Sequence, residues 1–164
     1  MRGIRIGQIL VEQGLMTQSQ VDHVLATQRR SGRPFGDLAE RLFGVSPKAV
    51  EDAWVKQYAQ LTQIDLADLN DIDPATAKLV NRRQAWQFHV IPIGRADGEL
   101  VLLTDQEHLI RTINFAAATF KEPVFCKTTD TATLRKLLMQ IYPVPQHLAD
   151  FACQNLHTGA PVHA

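Results

Sequence analysis

What this chain of 164 residues lacks excludes several classes of protein. It has two cysteines, Cys126 and Cys153, without CxxC or metal-ligand spacing, so neither a disulfide scaffold nor a cysteine zinc site is expected. Its 17 Lys+Arg balance its 17 Asp+Glu, so a protein that coats DNA or RNA with a broad basic surface is not expected. Its apolar runs are too short to insert into a membrane, and Gln8, Glu12 and Gln13 interrupt any secretory signal. We therefore expect a cytoplasmic protein.

Sequence signatures of catalysis are also missing. There is no GxSxG, no GxxxxGK[ST] and no GxGxxG after a strand, and the six histidines form no HExxH pattern. A run of aspartates has a spacing that suggests calcium, but the glycine and the closing glutamate of an EF-hand loop are absent. A solvated connector that ends in a helix cap explains the run better. We predict a protein that is not an enzyme and has neither a metal nor a cofactor; the aspartates are Asp65, Asp68, Asp71 and Asp73.

The first sixty residues are predicted to form four helices in two helix-turn-helix pairs. Thr17 and Gln20 have the spacing of a capping box, and Ser46 followed by Pro47 is a second helix start. Each of these longer helices follows a shorter one, over residues 5–13 and 35–42, and the shorter helices end at Gly14 and Gly44.

The two pairs are related as an internal repeat. A shift of 29 residues matches residue types at each helical phase, although few residues are identical. A duplicated unit with pseudo-twofold symmetry follows, and a groove between its halves would suit a twofold-symmetric ligand. The matched pairs are Gly7 and Gly36, Ile9 and Leu38, Thr17 and Ser46, Val21 and Val50, Leu25 and Trp54, and Gln28 and Gln57.

The remaining sequence predicts a small α+β domain. We place the helical pairs at residues 1–62, the α+β part at 63–142 and a partly disordered tail, with one amphipathic helical segment, at 143–164. One helix is expected from Asp73-Pro74 to Phe88, and a hairpin from two strands, 89–94 and 99–104, joined at residues 95–98. A helix over 107–119, a strand over 123–127 and a helix capped by Asp130 complete a sheet of three to four strands.

Three features of the helical half could serve a ligand. All basic residues before residue 37 are arginines, whose planar fork suits phosphate or guanine, although a solvated helix end would also explain them. Gln28 and Gln57 continue the apolar stripes as polar groups; each either caps a carbonyl, lies at the wet edge of its stripe, or serves a common polar ligand. Gly7 and Gly36 permit close backbone approach by either a neighbouring helix or a ligand.

These residues resemble a known family. Arg5-Ile6-Gly7, Leu10-Val11, Gly14, Val21, Leu25 and Gln28 are similar to the first half of the MshEN motif, RLGxxLVxxGxxxxxxLxxxLxxQ. That domain is classed with the N-terminal domain of type II secretion and type IV pilus assembly ATPases. Residues 64–66, the helix after Asp73, the strands and the closing helix also agree, so the resemblance covers about residues 2–142.

The resemblance implies that the two motif copies bind cyclic di-GMP. Arg5 would contact a guanine, Gly7 would allow close approach, and Gln28 would hydrogen-bond the ligand. Asp105, after the second strand, would accept hydrogen bonds from guanine. The remaining implied ligand-binding residues are Ile6, Leu10, Val11, Gly14, Val21 and Leu25 in the first copy, and Arg33, Phe35, Gly36, Val50, Trp54 and Gln57 in the second.

The second copy departs from the motif. Pro34 stands at the arginine position with Arg33 one residue early, Ala39 and Glu40 replace Leu-Val, and Phe43 replaces the glycine. Trp54 replaces a leucine and would either stack on a base or fill the groove.

Two functions therefore stay open. One is a cyclic di-GMP receptor that regulates a secretion or pilus assembly system, and the other is an adaptor of the same fold that docks on that machinery without nucleotide. The chain would be either a fragment of a longer ATPase or a separate regulatory subunit. A helix-turn-helix DNA binder fits the neutral charge and the apolar helix faces less well.

Overall fold

The computed structural model describes residues 5–64, 69 and 72–154, with side chains to residue 152. By its internal contacts the chain divides into two compact units, Met1–Leu61 and Thr62–Ala164. The α+β class predicted from the sequence is confirmed. The predicted disorder at the C-terminus and most of the aspartate run lie outside the described residues. Within the part of the chain that is described, no helix is both long and apolar enough to cross a membrane.

Over its described residues, the first unit contains the four predicted helices. Both longer helices begin as the capping residues indicate: Thr17 Oγ1 accepts from the Gln20 backbone N–H at 3.2 Å and Gln20 Oε1 from that of Thr17 at 2.9 Å, which completes the capping box. Ser46 Oγ accepts from the Ala49 N–H at 3.2 Å, and Pro47 is the first helical residue. The helices are α1 (Ile6–Glu12), α2 (Gln18–Ser31), α3 (Phe35–Phe43) and α4 (Pro47–Thr62).

Both short helices end at a left-handed glycine. Gly14 has φ +72° and Gly44 has φ +65°, a conformation that costs a side-chain-bearing residue free energy. The motif glycine that Phe43 replaces is thus supplied one residue later by Gly44. The turns close alike, because the Met16 N–H donates to the Leu10 carbonyl at 3.3 Å and the repeat-related Val45 N–H to that of Ala39 at 3.4 Å.

The core of the first unit confirms the repeat. Residues one repeat apart enter the same hydrophobic cluster, so each hairpin contributes equivalent positions to it. Burial of such side chains contributes about 25 cal/mol per Å² of apolar surface. The related pairs in or against the core are Ile6 and Phe35, Ile9 and Leu38, Leu10 and Ala39, Met16 and Val45, Val21 and Val50, and Val24 and Ala53.

The second unit has five helices and a three-stranded sheet in the described residues. The strand order is β1-β2-β3, with β1 antiparallel and β3 parallel to the central strand. The strands are β1 (Ile91–Ala96), β2 (Glu99–Asp105) and β3 (Val124–Thr129); the helices are α5 (Pro74–Ala77), α6 (Arg82–Phe88), α7 (Leu109–Thr119), α8 (Thr131–Ile141) and α9 (Gln146–Gln154).

Two local predictions for this unit need correction. The single helix expected between Asp73 and Phe88 is wrong, because Asn81 begins a new helix: its side chain accepts from the Gln84 N–H at 2.8 Å. The hairpin turn is also shorter than the four residues expected. Asp97 and Gly98, with φ of +52° and +79°, form a two-residue turn whose twist matches the flanking strands.

The end of α8 is anchored by buried hydrogen bonds from Tyr142. Its hydroxyl donates to the Ala77 carbonyl, and its own carbonyl accepts from Trp86 Nε1 at 2.7 Å. We expect Tyr142→Phe to lower the free energy of unfolding by about 1–2 kcal/mol, because the buried Ala77 carbonyl loses this donor. Urea denaturation monitored by far-UV circular dichroism measures the loss, and an unchanged midpoint would contradict the role of the hydroxyl.

Candidate functional site

One motif glycine in each hairpin allows the two helices of that hairpin to pack closely. A Cβ placed on Gly7 would lie 2.8 Å from Val21 Cγ1 and 3.1 Å from Phe35 Cζ. A Cβ on Gly36 would lie 2.5 Å from Val50 Cγ1. Gly36 and Val50 are each one repeat after Gly7 and Val21, so the same helix contact occurs twice. Of the two explanations for these glycines, close helix packing is the one this geometry accounts for.

The apolar motif residues divide between the core and the unit's surface. Leu10 and Val21 are buried in the cluster, so their side chains support the helices from inside. Ile6, Val11, Leu25, Phe35 and Val50 are half-buried against the same cluster and keep part of their surface accessible. An apolar floor for a ligand would be built from this second group.

Three polar motif residues, Arg5 and Gln28 of the first copy and Gln57 of the second, are at least partly accessible. Arg5 is exposed at the N-cap of α1, and its side chain does not cap the helix. Gln28 and Gln57 are half-buried on α2 and α4, and neither side chain has a hydrogen-bond partner among the described residues. The carbonyl-capping explanation for these two glutamines therefore finds no support within the ranges that the structure describes.

Arg33, the displaced arginine of the second copy, is bound to a neighbouring carboxylate. Its Nη1 lies 3.3 Å from Asp37 Oδ2, and Arg41 Nε lies 2.9 Å from Asp37 Oδ1. The hydrogen bond from Arg41, followed by that from Arg33, lowers the pKa of Asp37. Both guanidinium groups thus share one carboxylate, a pairing that the sequence analysis did not anticipate although the i, i+4 spacing indicates it.

Trp54 differs from its counterpart in the first copy in both size and surroundings. Its side chain is 37% exposed on α4, and its ring centroid lies 5.4 Å from that of Tyr58 at an interplanar angle of 30°. Leu25, one repeat earlier, packs against the core. The indole therefore offers an accessible aromatic surface.

Asp105 lies in the second unit and is buried. Its Oδ1 accepts from the His108 N–H at 2.9 Å and lies 2.6 Å from His108 Nδ1. Burial acts to raise the pKa of Asp105, but the hydrogen bonds from His108 outweigh it and hold the pKa below its ordinary value. In this structure the carboxylate orients His108; its role toward guanine stays a prediction.

A histidine that the motif comparison missed lies beside this pair. His89 stacks on His108, with ring centroids 3.9 Å apart and planes 4° apart. Burial, together with the nearby charge of His108, lowers the pKa of His89 to about 4. Across the residues that the structure describes, no group of three or more His, Cys, Asp or Glu side chains is arranged to hold a metal ion.

Comparisons with known proteins give relatives of one kind. No protein-family model matches the chain. The type IV pilus assembly ATPase PilB of Myxococcus xanthus is 28% identical over 98 residues, which cover 60% of this chain and 17% of that protein. PilB of Thermus thermophilus is 25% identical over 111 residues, or 65% of this chain and 12% of that protein. The chain thus spans less than a fifth of the length of these relatives.

Solved structures are similar to the chain over most of its length. The structure of MshE with cdg is 21% identical, with a TM-score of 0.46 over 85% of this chain and 99% of that one. The N-terminal domain of XpsE is 20% identical, with a TM-score of 0.44 over 84% of this chain and 94% of that one. The comparisons confirm the predicted resemblance, since both sequence relatives are type IV pilus assembly ATPases, one of the two classes of ATPase that the motif indicated.

Proposed function

We propose that this chain is a non-catalytic, cytoplasmic receptor domain that binds cyclic di-GMP and thereby regulates a pilus or secretion ATPase system. The nucleotide changes how the domain contacts its partner in that machinery. The observation that carries the proposal is the duplication of the Gly7–Val21 contact as Gly36–Val50. It supports two hairpins of one design, an arrangement that suits a ligand built of two similar halves.

The groups that the first copy leaves accessible match the chemistry of a guanine nucleotide. Arginine pairs with guanine O6 and N7 in a bidentate geometry, and Arg5 is exposed without a carboxylate partner among the described residues. The Gln28 amide supplies one further donor and acceptor. The half-buried apolar side chains of Val11 and Leu25 provide a surface on which a base can lie.

Titration calorimetry of the full chain with cyclic di-GMP tests the proposal. We expect micromolar or tighter binding, and Arg5→Ala or Gln28→Ala should weaken it by about tenfold to hundredfold, because each removes a hydrogen bond to the ligand. Two matched controls, Arg83→Ala and Gln60→Ala, remove exposed side chains of the same types and should bind as the unmodified chain does.

The second candidate is the adaptor that docks on the same machinery without nucleotide. The Arg33–Asp37 pair and the loss of the motif arginine at Pro34 favour it, since both reduce the donors in the second copy. Absence of heat at a ligand concentration of hundreds of micromolar, with the far-UV spectrum of a folded chain, would reject the receptor and favour the adaptor. Co-purification with pilus or secretion components would then identify the partner.

A further inference from the structure

The two motif copies present different chemistry at equivalent positions. Most residue pairs one repeat apart lie in or against the common core, but Leu25 and Trp54 do not match: Leu25 packs against the core, whereas Trp54 extends to the surface beside Tyr58. The first half thus offers an aliphatic side chain at this position and the second half an accessible indole.

The second copy has fewer arginine donors available to a ligand than the first. The first copy has Arg5, and the equivalent residue of the second copy is Pro34, whose side chain has no donor. The adjacent Arg33 is paired with Asp37, which also binds Arg41. The second copy therefore gains an aromatic face and lacks an unneutralised arginine at the motif position.

We propose that the two half-sites recognise their bases differently: the first requires guanine, whereas the second accepts any purine by stacking on Trp54. This inference rests on the proposed function and specifies its ligand class as cyclic dinucleotides with at least one guanine. A mixed guanine–adenine cyclic dinucleotide belongs to this class, and cyclic di-AMP does not.

The physical basis is the difference between hydrogen bonding and stacking. An arginine fork distinguishes guanine from adenine, because adenine presents an amino donor where guanine presents the O6 acceptor. Stacking on an aromatic ring tolerates every base, since each base has a π face. The second copy keeps Gln57, whose amide both donates and accepts and so can pair with either guanine or adenine. A half-site with Trp54 and Gln57 but without an unneutralised arginine therefore discriminates weakly between purines.

Calorimetry of the full chain with three cyclic dinucleotides measures this selectivity. We expect the mixed guanine–adenine ligand to bind within about fivefold of cyclic di-GMP, as a base-tolerant stacking contact implies. Cyclic di-AMP should bind about tenfold to hundredfold more weakly, since the half-site with Arg5 then faces the wrong base.

Variants at position 54 test the stacking contact itself. Trp54→Leu introduces the residue type of the first copy and should weaken both guanine-containing ligands by about tenfold to hundredfold, whereas Trp54→Phe should retain most of the affinity. Leu79→Ala removes a comparably exposed apolar side chain from the second unit and serves as the matched control.

Tryptophan fluorescence reports the contact directly. The chain has two tryptophans, and Trp86 is only 5% exposed with its Nε1 bonded to the Tyr142 carbonyl. Saturating ligand should quench the exposed Trp54 in the unmodified chain and leave the emission of Trp54→Phe unchanged, because that variant keeps only Trp86.

The outcomes separate this inference from the proposed function. If cyclic di-GMP binds and the mixed ligand binds more than about thirtyfold more weakly, the second half-site also reads guanine by hydrogen bonds, and only this inference fails. Unchanged affinity in Trp54→Leu would reject the stacking contact in the same way. Failure of all three ligands to bind would overturn the proposed function together with this inference.

Discussion

Replacement of Gly36 by alanine is expected to destabilise the first unit by about 2 kcal/mol. The new Cβ would lie 2.5 Å from Val50 Cγ1, a separation that requires one of the two helices to move. Valine is stiff in a helix, since its branched Cβ leaves one strongly preferred rotamer, so its methyl group cannot rotate away. The loss exceeds the gain of about 1 kcal/mol from the higher helix propensity of alanine.

A double-mutant cycle isolates this contact. Val50→Ala removes the methyl group that the new Cβ would meet, so the loss in the Gly36→Ala, Val50→Ala double variant should be at least about 1 kcal/mol smaller than the sum of the two single losses. Gly94→Ala is the control, because a Cβ there meets no atom within 4 Å. Urea denaturation measures the four free energies of unfolding in the cycle and that of the control. Strict additivity, or a Gly36→Ala variant as stable as the unmodified chain, would contradict the proposed contact.

Acidification is expected to destabilise the second unit through His89. The pKa of this imidazole is about 4 in the folded chain against an ordinary value of 6.5, because burial disfavours the charged form. Between these two values the unfolded chain binds more protons than the folded chain, so stability falls as the pH falls. From pH 7 to pH 4 the loss amounts to about 3 kcal/mol.

Most of the charges around His89 also lower its pKa. His108, Arg111 and Arg135 lower its pKa further, and Asp105 opposes them. The lowered pKa of Asp105 acts in the same sense only at lower pH, below the ordinary carboxyl value of 3.8, because the favoured carboxylate loses its contribution as the pH falls through its folded pKa.

Denaturation midpoints measured at several pH values between 7 and 4 test this prediction. His89→Asn should reduce the dependence on pH, because asparagine does not titrate and tolerates the left-handed backbone at this position, where φ is +49°. His147→Asn, at an exposed position on α9, should keep the full dependence. If His89→Asn lost as much stability on acidification as the unmodified chain, the loss would come from other groups and the role of His89 would be contradicted.

The helix starts that the sequence predicted were accurate, because they depend on neighbouring residues. The Thr17–Gln20 capping box, the Ser46-Pro47 helix start and the Asp130 cap are each formed within a few residues, and the structure confirms them. The single helix expected after Asp73 failed for a local reason as well. Asn81 has the same capping spacing to Gln84 as Thr17 has to Gln20, a signal that the prediction of one continuous helix did not use.

The candidate site was less predictable, because the surroundings of its residues depend on contacts that the motif does not specify. Whether Gly7 admits a ligand or a helix depends on Val21 and Phe35, which the fold brings against it. The availability of Arg33 depends on Asp37, and the environment of Asp105 depends on the stacking of His108 on His89. Motif position alone indicates none of these contacts.

The sequence by itself determined the α+β class, the four helices of the first unit, their caps, the 29-residue repeat and the resemblance to the ATPase N-terminal domains. These follow from periodicity and local hydrogen bonds, which neighbouring residues specify. Only the tertiary structure decided that the paired glycines serve helix packing and that Leu25 and Trp54 have different surroundings. Burial and close contact are properties of the packed chain, because they depend on residues that folding brings together.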